Sequence, residues 1–451
     1  MPAVEDLPSF DRDVARGATA LAEWRADVAR EPDEYGDSDP LAAVRHVAGR
    51  SAWEVLIALV PSAYESPLRA ALLPWVYALM QARVARGDDV ALARAEAEAH
   101  ASMHSPRPQQ VNWREAWRGV AGSAAPAVGR RWLEVAAESA PTLADVARRR
   151  AARRVEVAHR LGLEHVWEPL VAVPPGILAA LALRFLDATE DLSRAVLRGL
   201  DGGGAGVAAV LHACVGRDAA EGWPARLTGR WLDETFPEGA RTLRLKVPLL
   251  PLALGAASFA RALFAFGFQV RVSASPSSMP FALAREPAFT AAHRMGFVFG
   301  ALAADPGWQL SALGIGRRSA LAQARVLART ALIEARLHAA RLLLGDDAAF
   351  APRDRFEELG ARLFGVPLDS RFRGAWPRAR DDEPARFLAL LEAETLLTSL
   401  RERFDLDWFR NPRAWSNFRA CGAGPVREPV DSNALGGKVD SLARAFESSL
   451  G

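Results

Sequence analysis

Apolar residues in this chain recur mostly at intervals of three and four, and short Gly, Pro and Asp clusters interrupt them. That period belongs to helices that turn one face toward a core. It predicts helices over 11–30, 40–58, 66–85, 88–104, 112–137, 141–161, 174–199, 204–217, 222–235, 252–266, 286–303, 315–344, 353–364, 383–403 and 436–448. The 315–344 segment is the best defined, with Gly314 and Gly316 at its start and Gly345-Asp346-Asp347 at its end. Two pieces alternate at period two instead. They are Thr242-Leu243-Arg244-Leu245-Lys246-Val247 and Phe268-Gln269-Val270-Arg271-Val272, expected to pair as a small ribbon. The expected class is all-α with at most this ribbon.

Punctuation sets the expected organisation. Residues 1–140 read as an N-terminal helical lobe and 141–420 as a second lobe. Residues 421–451 read as a loosely held, Gly/Pro-rich tail ending in a helix. Pro106-Arg107-Pro108 reads as a lobe boundary, and Asp201-Gly202 through Gly206 as a flexible connection. No internal repeat is visible.

Composition narrows the function classes. At 451 residues the chain can bury a large core, and a net charge of +2 calls for no polyelectrolyte partner. Positive charge is almost wholly arginine, with lysine only at Lys246 and Lys438, which reads as coding bias. Two cysteines far apart, Cys214 and Cys421, argue against a disulfide framework and fit a cytoplasmic setting. The acidic start, Met1-Pro2-Ala3-Val4-Glu5-Asp6, is not expected to be a signal peptide. The apolar run from Val247 to Phe268 is broken by Pro248, Pro251, Gly255 and Arg261, so it reads as core rather than a membrane span.

Several residues could carry chemistry. His100 and His104 stand at i, i+4 near a predicted helix end, the spacing of a zinc pair, with Glu96 and Glu98 nearby. Without a third ligand, two surface histidines closing a charged helix are the simpler reading. Arg148, Arg149, Arg150, Arg153 and Arg154 form a basic run. It lacks interleaved aromatics, so it reads as a solvated face rather than a nucleic-acid surface. His159 and His165 flank the Gly162 helix end as capping or packing groups. His212 and Cys214 are two apart and would not face each other on a helix. Glu334 and His338 read as a surface i, i+4 pair, and Gly202 to Gly206 lacks the Lys-Ser/Thr of a phosphate loop. Trp376, Trp408 and Trp415 are candidates to line a groove.

One ordered set of segments goes further. It runs from Pro141-Thr142-Leu143-Ala144-Asp145 and Leu161-Gly162-Leu163-Glu164-His165-Val166-Trp167 through Phe185-Leu186-Asp187 to Phe264-Ala265-Phe266-Gly267-Phe268. Asp305-Pro306-Gly307-Trp308, the 315–344 helix and Leu406-Asp407-Trp408-Phe409-Arg410-Asn411-Pro412 follow. Over roughly 141–420 this layout resembles the thimet-oligopeptidase/oligoendopeptidase-F type of zinc peptidase. The resemblance implies a two-lobed helical fold around a central cleft. In such enzymes two histidines one turn apart bind zinc, the adjacent glutamate takes a proton from the metal-bound water, and a later glutamate completes the ligands.

The resemblance places Phe264, Ala265 and Phe268 where His, Glu and His would stand, and only Gly267 is retained. The third-ligand position falls on His293, and Phe387 stands about where a transition-state tyrosine would be. A second registration, on His293-Arg294-Met295-Gly296-Phe297, also lacks the base and one ligand. No His-Glu-x-x-His occurs anywhere in the chain.

The expectation is a catalytically inactive homologue, without cofactor, whose cleft binds a peptide or a protein partner. Neither nucleic acid nor membrane is expected as a partner. Two rivals stand beside it. One is an active peptidase with a relocated metal site, using His293 with His100, His104 or His212. The other is a purely structural helical protein with a closed cleft. A groove beside 264–268 and 293 separates the first expectation from the last.

Overall fold

The three-and-four period becomes helix along almost the whole chain. A computed structural model describes residues 6–60, 62, 64–103, 109–200, 206–225, 228–242, 255–345, 352–422 and 432–451. Among them the only sheet is an antiparallel pair, Ala99–Met103 against Gln109–Asn112. The expected ribbon is corrected by this. Phe268 to Val272 lie inside the Ala256–Ala274 helix, and 243–247 lie outside the described residues. In that helix Phe259, Leu263, Phe266 and Val270 are buried, a spacing of four, three and four. The period-two alternation of its last turns was a coincidence inside a helical stripe.

Helix ends moved where single residues were overread. The Ser66–Ala97 helix runs straight through Gly87, where the sequence suggested a break. It stops at Glu98, whose backbone is extended, and His100 falls in a strand rather than on a helix. His104 and Pro106-Arg107-Pro108 lie outside the described residues. The Pro126–Arg160 helix passes through Pro141, so no linker separates 140 from 141. The Arg317–Leu344 helix appears as expected, with Gly345 at its C-cap.

Two hydrophobic clusters organise the packing. The first begins at Leu7, Phe10 and Val14 and includes Tyr77, Phe185, Phe364, Phe387 and Phe446. The second gathers Phe236, Phe266, Phe299, Trp308, Trp408 and Trp415 around the Ala256–Ala274 helix. Phe297 packs against both. The Ser432–Leu450 helix is no loose appendage, because Leu435, Val439, Leu442 and Phe446 are buried in the first cluster. Residues 423–431 lie outside the description.

Two carboxylates tie distant segments together. Buried Asp11 on the Leu7–Arg30 helix accepts from the backbone N–H groups of Phe281 and Ala282, at 2.7 and 2.8 Å. It thereby caps the short Phe281–Ala284 helix from a distant part of the sequence. Asp305 caps the Pro306–Leu313 helix by accepting from Trp308 N–H at 3.1 Å, and Arg401 holds its other oxygen at 2.7 Å. The Asp305-Pro306-Gly307-Trp308 motif is thus a helix start with its anchor. Among the described residues no helix is long and apolar enough to cross a membrane.

Candidate functional site

The site begins with two helices that approach unusually closely. The Ala256–Ala274 and Thr290–Leu302 helices form the most extensive helix pair among the described residues. A Cβ on Gly267 would lie 2.5 Å from the Met295 carbonyl oxygen and 2.8 Å from Phe299 Cβ. A Cβ on Gly296 would lie 2.9 Å from the Phe264 ring. Glycine at both positions therefore has a packing reason.

That crossing brings together the residues singled out in the sequence. Phe264 stacks near His293 with centroids 6.0 Å apart, and Phe268 meets the same imidazole at 5.2 Å. Phe297 stands edge-on to Phe264 at 4.9 Å. Both sequence registrations therefore converge on one aromatic cluster. Phe264, Ala265 and Phe268 are half-buried, while His293 is only 3% exposed. Phe387 is fully buried in the first core cluster, with its ring 6.3 Å from Phe185. Phe289 caps the Thr290–Leu302 helix at φ 55°, a left-handed conformation that costs an aromatic residue energy. Its ring is held between Trp75 at 6.3 Å and Phe268 at 5.4 Å.

Opposite these rings lies a turn of three successive carboxylates at the start of the Glu383–Phe404 helix. Negative charge suits that position because helix N-termini present unpaired N–H groups. Each carboxylate takes different partners. Asp381 accepts from Arg150 and Arg154 at 2.8 Å, with Arg25 at 3.5 Å. Asp382 accepts from His293 Nε2 and from Arg386 Nε, both at 2.9 Å. Glu383 is wholly buried, bonded to His338 Nδ1 and accepting from the Arg380 backbone N–H at 3.3 Å.

Electrostatics follows from this wiring. Burial pushes His293 below the ordinary imidazole value, against the Asp382 hydrogen bond, and nearby Arg386 pushes the same way. The neutral ring donates from Nε2 to Asp382. Its Nδ1 is buried with no hydrogen-bond partner. Burial alone would raise Asp382, but the His293 hydrogen bond and Arg386 outweigh it and hold the carboxyl below its usual range. Glu383 is likewise lowered against its burial, by His338, Arg341 and Arg380.

Two cavities flank this turn. One of about 610 Å³ is walled by Trp75, Phe281, Arg285 and Phe289 and reaches Asp382. The other, about 500 Å³, is lined by Trp24, Trp113, Trp117 and Trp376 with several arginines. They share Arg25, Arg150 and Asp381. The larger cavity reaches Asp382 and Phe289, which contact His293 and Phe268, but Phe264, Phe268 and His293 line neither of these two cavities.

The remaining candidates scatter. Arg150 and Arg154 are not a solvated face: both clamp Asp381, and Arg154 is buried. His338 is buried on Glu383 rather than paired with Glu334, which instead holds Arg261 at 2.7 Å. His165 Nδ1 accepts from Trp167 N–H at 3.2 Å, a local packing role. His212 Nδ1 lies 3.1 Å from the Ser123 carbonyl, and buried Cys214 is pushed up to about 12 by desolvation, so the pair is no nucleophile. Of the three groove tryptophans only Trp376 lines a cavity; Trp408 and Trp415 are core. Gly202 to Ala205 lie outside the described residues. Sequence reading missed Asp381, Asp382 and Glu383, although Asp-Asp-Glu-Pro is a helix-start signature.

The aromatic cluster does not suit a zinc ion. Phenylalanine has no lone pair, and His293 offers one free nitrogen where three protein donors are needed. Among the described residues no three His, Cys, Asp or Glu side chains group so as to hold a metal ion.

Helices almost throughout, one two-stranded pair and a tight crossing of two helices define an all-α fold of the helical oligopeptidase type. Comparison with solved structures gives the particular likenesses. The chain is similar to a structure of PZ peptidase A with inhibitor 2, with a TM-score of 0.53 and 11% identity over 88% of this chain and 84% of that one. It is also similar to a protein of Bacillus anthracis str. Ames named as an oligoendopeptidase F, with a TM-score of 0.58 and 10% identity. That match covers 93% of this chain and 85% of the other. No family model and no curated protein matches the sequence. At these identities the likeness establishes the fold alone.

Proposed function

We propose that this chain is a catalytically inactive homologue of an oligopeptidase-type metallopeptidase whose cleft binds a peptide or an extended protein segment. One observation carries the reading: Phe264, Phe268 and His293 meet at one point, and the imidazole there is bonded to Asp382. A metal-ligand set replaced by aromatic rings leaves no isolated charge in the floor of the cleft, which would be costly to bury. The open cavity of about 610 Å³ favours a binding role over a closed scaffold. Free Cys214 and Cys421 accord with the cytoplasmic setting that belongs to this proposal.

The test pairs a quenched fluorogenic peptide with zinc-supplemented protein. The expected result is no chelator-sensitive hydrolysis, together with saturable binding of labelled peptides. Chelator-sensitive turnover abolished by His293→Ala would overturn the proposal in favour of a working metal site.

A further inference from the structure

We propose that the cavity of about 500 Å³ is a subsite for a carboxylate-bearing peptide segment, an inference that rests on the peptide-binding reading above. Its wall holds six arginines against three carboxylates. Those carboxylates are already committed: Asp89 and Asp381 to Arg150, Glu96 to Arg114 at 3.3 Å and, more distantly, to Arg378 at 3.9 Å. Among the described residues Arg341 and Arg380 have no carboxylate within ion-pairing distance. The negative charge that offsets Arg341 most, Glu383, is itself bonded to His338.

Orphaned donors point the same way. Arg341 Nε and Trp117 Nε1 are buried without an acceptor, and both residues line this cavity. A buried donor left unmatched is costly, so two of them in one wall call for an acceptor from outside. Arg341 is lowered to about 10, by burial first, as expected of a desolvated guanidinium with too little neighbouring negative charge. A carboxylate is the natural partner because it can take two parallel N–H donors from a guanidinium. The wall also has one orphaned acceptor, Asp89 Oδ2, which a backbone N–H of the same ligand would satisfy. Acceptors with an attached donor describe a peptide better than a simple anion. The adjoining apolar chamber, with Trp75, Phe281 and Phe289, would take a hydrophobic neighbour in that peptide.

Two fluorescein-labelled hexapeptides, identical except for glutamate or glutamine at three positions, would be titrated by anisotropy. The glutamate peptide is expected to bind at least tenfold more tightly. Arg341→Gln and Arg380→Gln together should erase that preference, so that the two peptides bind alike. Arg380 is exposed, so Arg380→Gln alone tests the charge without endangering the fold, with a loss of about threefold expected. Citrate and inorganic phosphate, at matched ionic strength, would be scored by thermal shift. A citrate shift lost in the arginine variants, with neither peptide bound, supports the anion site and rejects the peptide-binding reading. Equal binding of both peptides keeps that reading and overturns the subsite. A larger shift with phosphate overturns the carboxylate assignment, and no response to any probe overturns the proposal.

Discussion

The helix crossing and the carboxylate turn face each other across His293, yet they are built by opposite means. The crossing is made of neighbours in sequence, Phe264 to Phe268 and His293 to Phe297, joined by rings and glycines. The turn is made of three successive acids whose partners come from four other helices, Leu7–Arg30, Pro126–Arg160, Thr290–Leu302 and Arg317–Leu344. One side is rings and glycines around a single imidazole, and the other is a row of paired charges. The difference teaches that the crossing is held by close packing alone, whereas the turn depends on partners brought from distant helices.

The largest expected effect breaks the comparison outright. The combination Phe264→His, Ala265→Glu, Phe268→His and His293→Glu restores donors on the same backbone. It should bind about one zinc per chain, read by metal analysis after gel filtration. A folded variant that binds none would mean that the crossing does not hold the geometry of the proposed former site.

Next comes the turn itself. Glu383→Ala leaves buried His338 without its carboxylate partner and removes a negative charge that offsets Arg341 at longer range. The expected loss is about 3 kcal/mol of stability in urea denaturation. A change below about 1 kcal/mol would show that the buried pair is not structural. On the opposite side, Gly267→Ala puts a methyl 2.5 Å from the Met295 carbonyl oxygen. The helices must separate, at a cost of about 1–3 kcal/mol. An unchanged melting temperature would mean that the helices part freely.

The mildest test uses pH. His293 titrates near 6.5 when unfolded and lower when folded, because burial disfavours its charge. The unfolded chain therefore binds more protons in that interval, and stability falls as pH drops from about 6.5 through the lowered value. Asp382 and Glu383, also lowered, add a second loss as pH falls through their folded values, beneath the ordinary carboxylate range. His293→Gln should remove the upper part of the decline and leave the acid part, measured as urea midpoints from about pH 2 to 8. A slope unchanged in the variant would contradict a neutral buried imidazole.

Legibility in the sequence divides along the same line. Helical class, the 315–344 helix and the meeting of Phe264, Phe268 and His293 could be read because each rests on local period or on an ordered motif. The short Phe268–Val272 alternation misled because five residues cannot separate a strand from the end of a helical stripe. Gly87 and Pro141 misled because packing held both helices through them. The turn stayed hidden because its bonds span 231 residues from Arg150 to Asp381, 89 from His293 to Asp382 and 45 from His338 to Glu383. Nothing in Arg148–Arg154 distinguishes a clamp from a solvated face until Asp381 is placed beside it.

Metal content of the purified, untagged protein, equilibrated with micromolar zinc and measured by inductively coupled plasma mass spectrometry, tests the central claim most directly. The account predicts a ratio of metal to chain near zero. A ratio near one, lost on His293→Ala, would contradict it and return the chain to the working metallopeptidases.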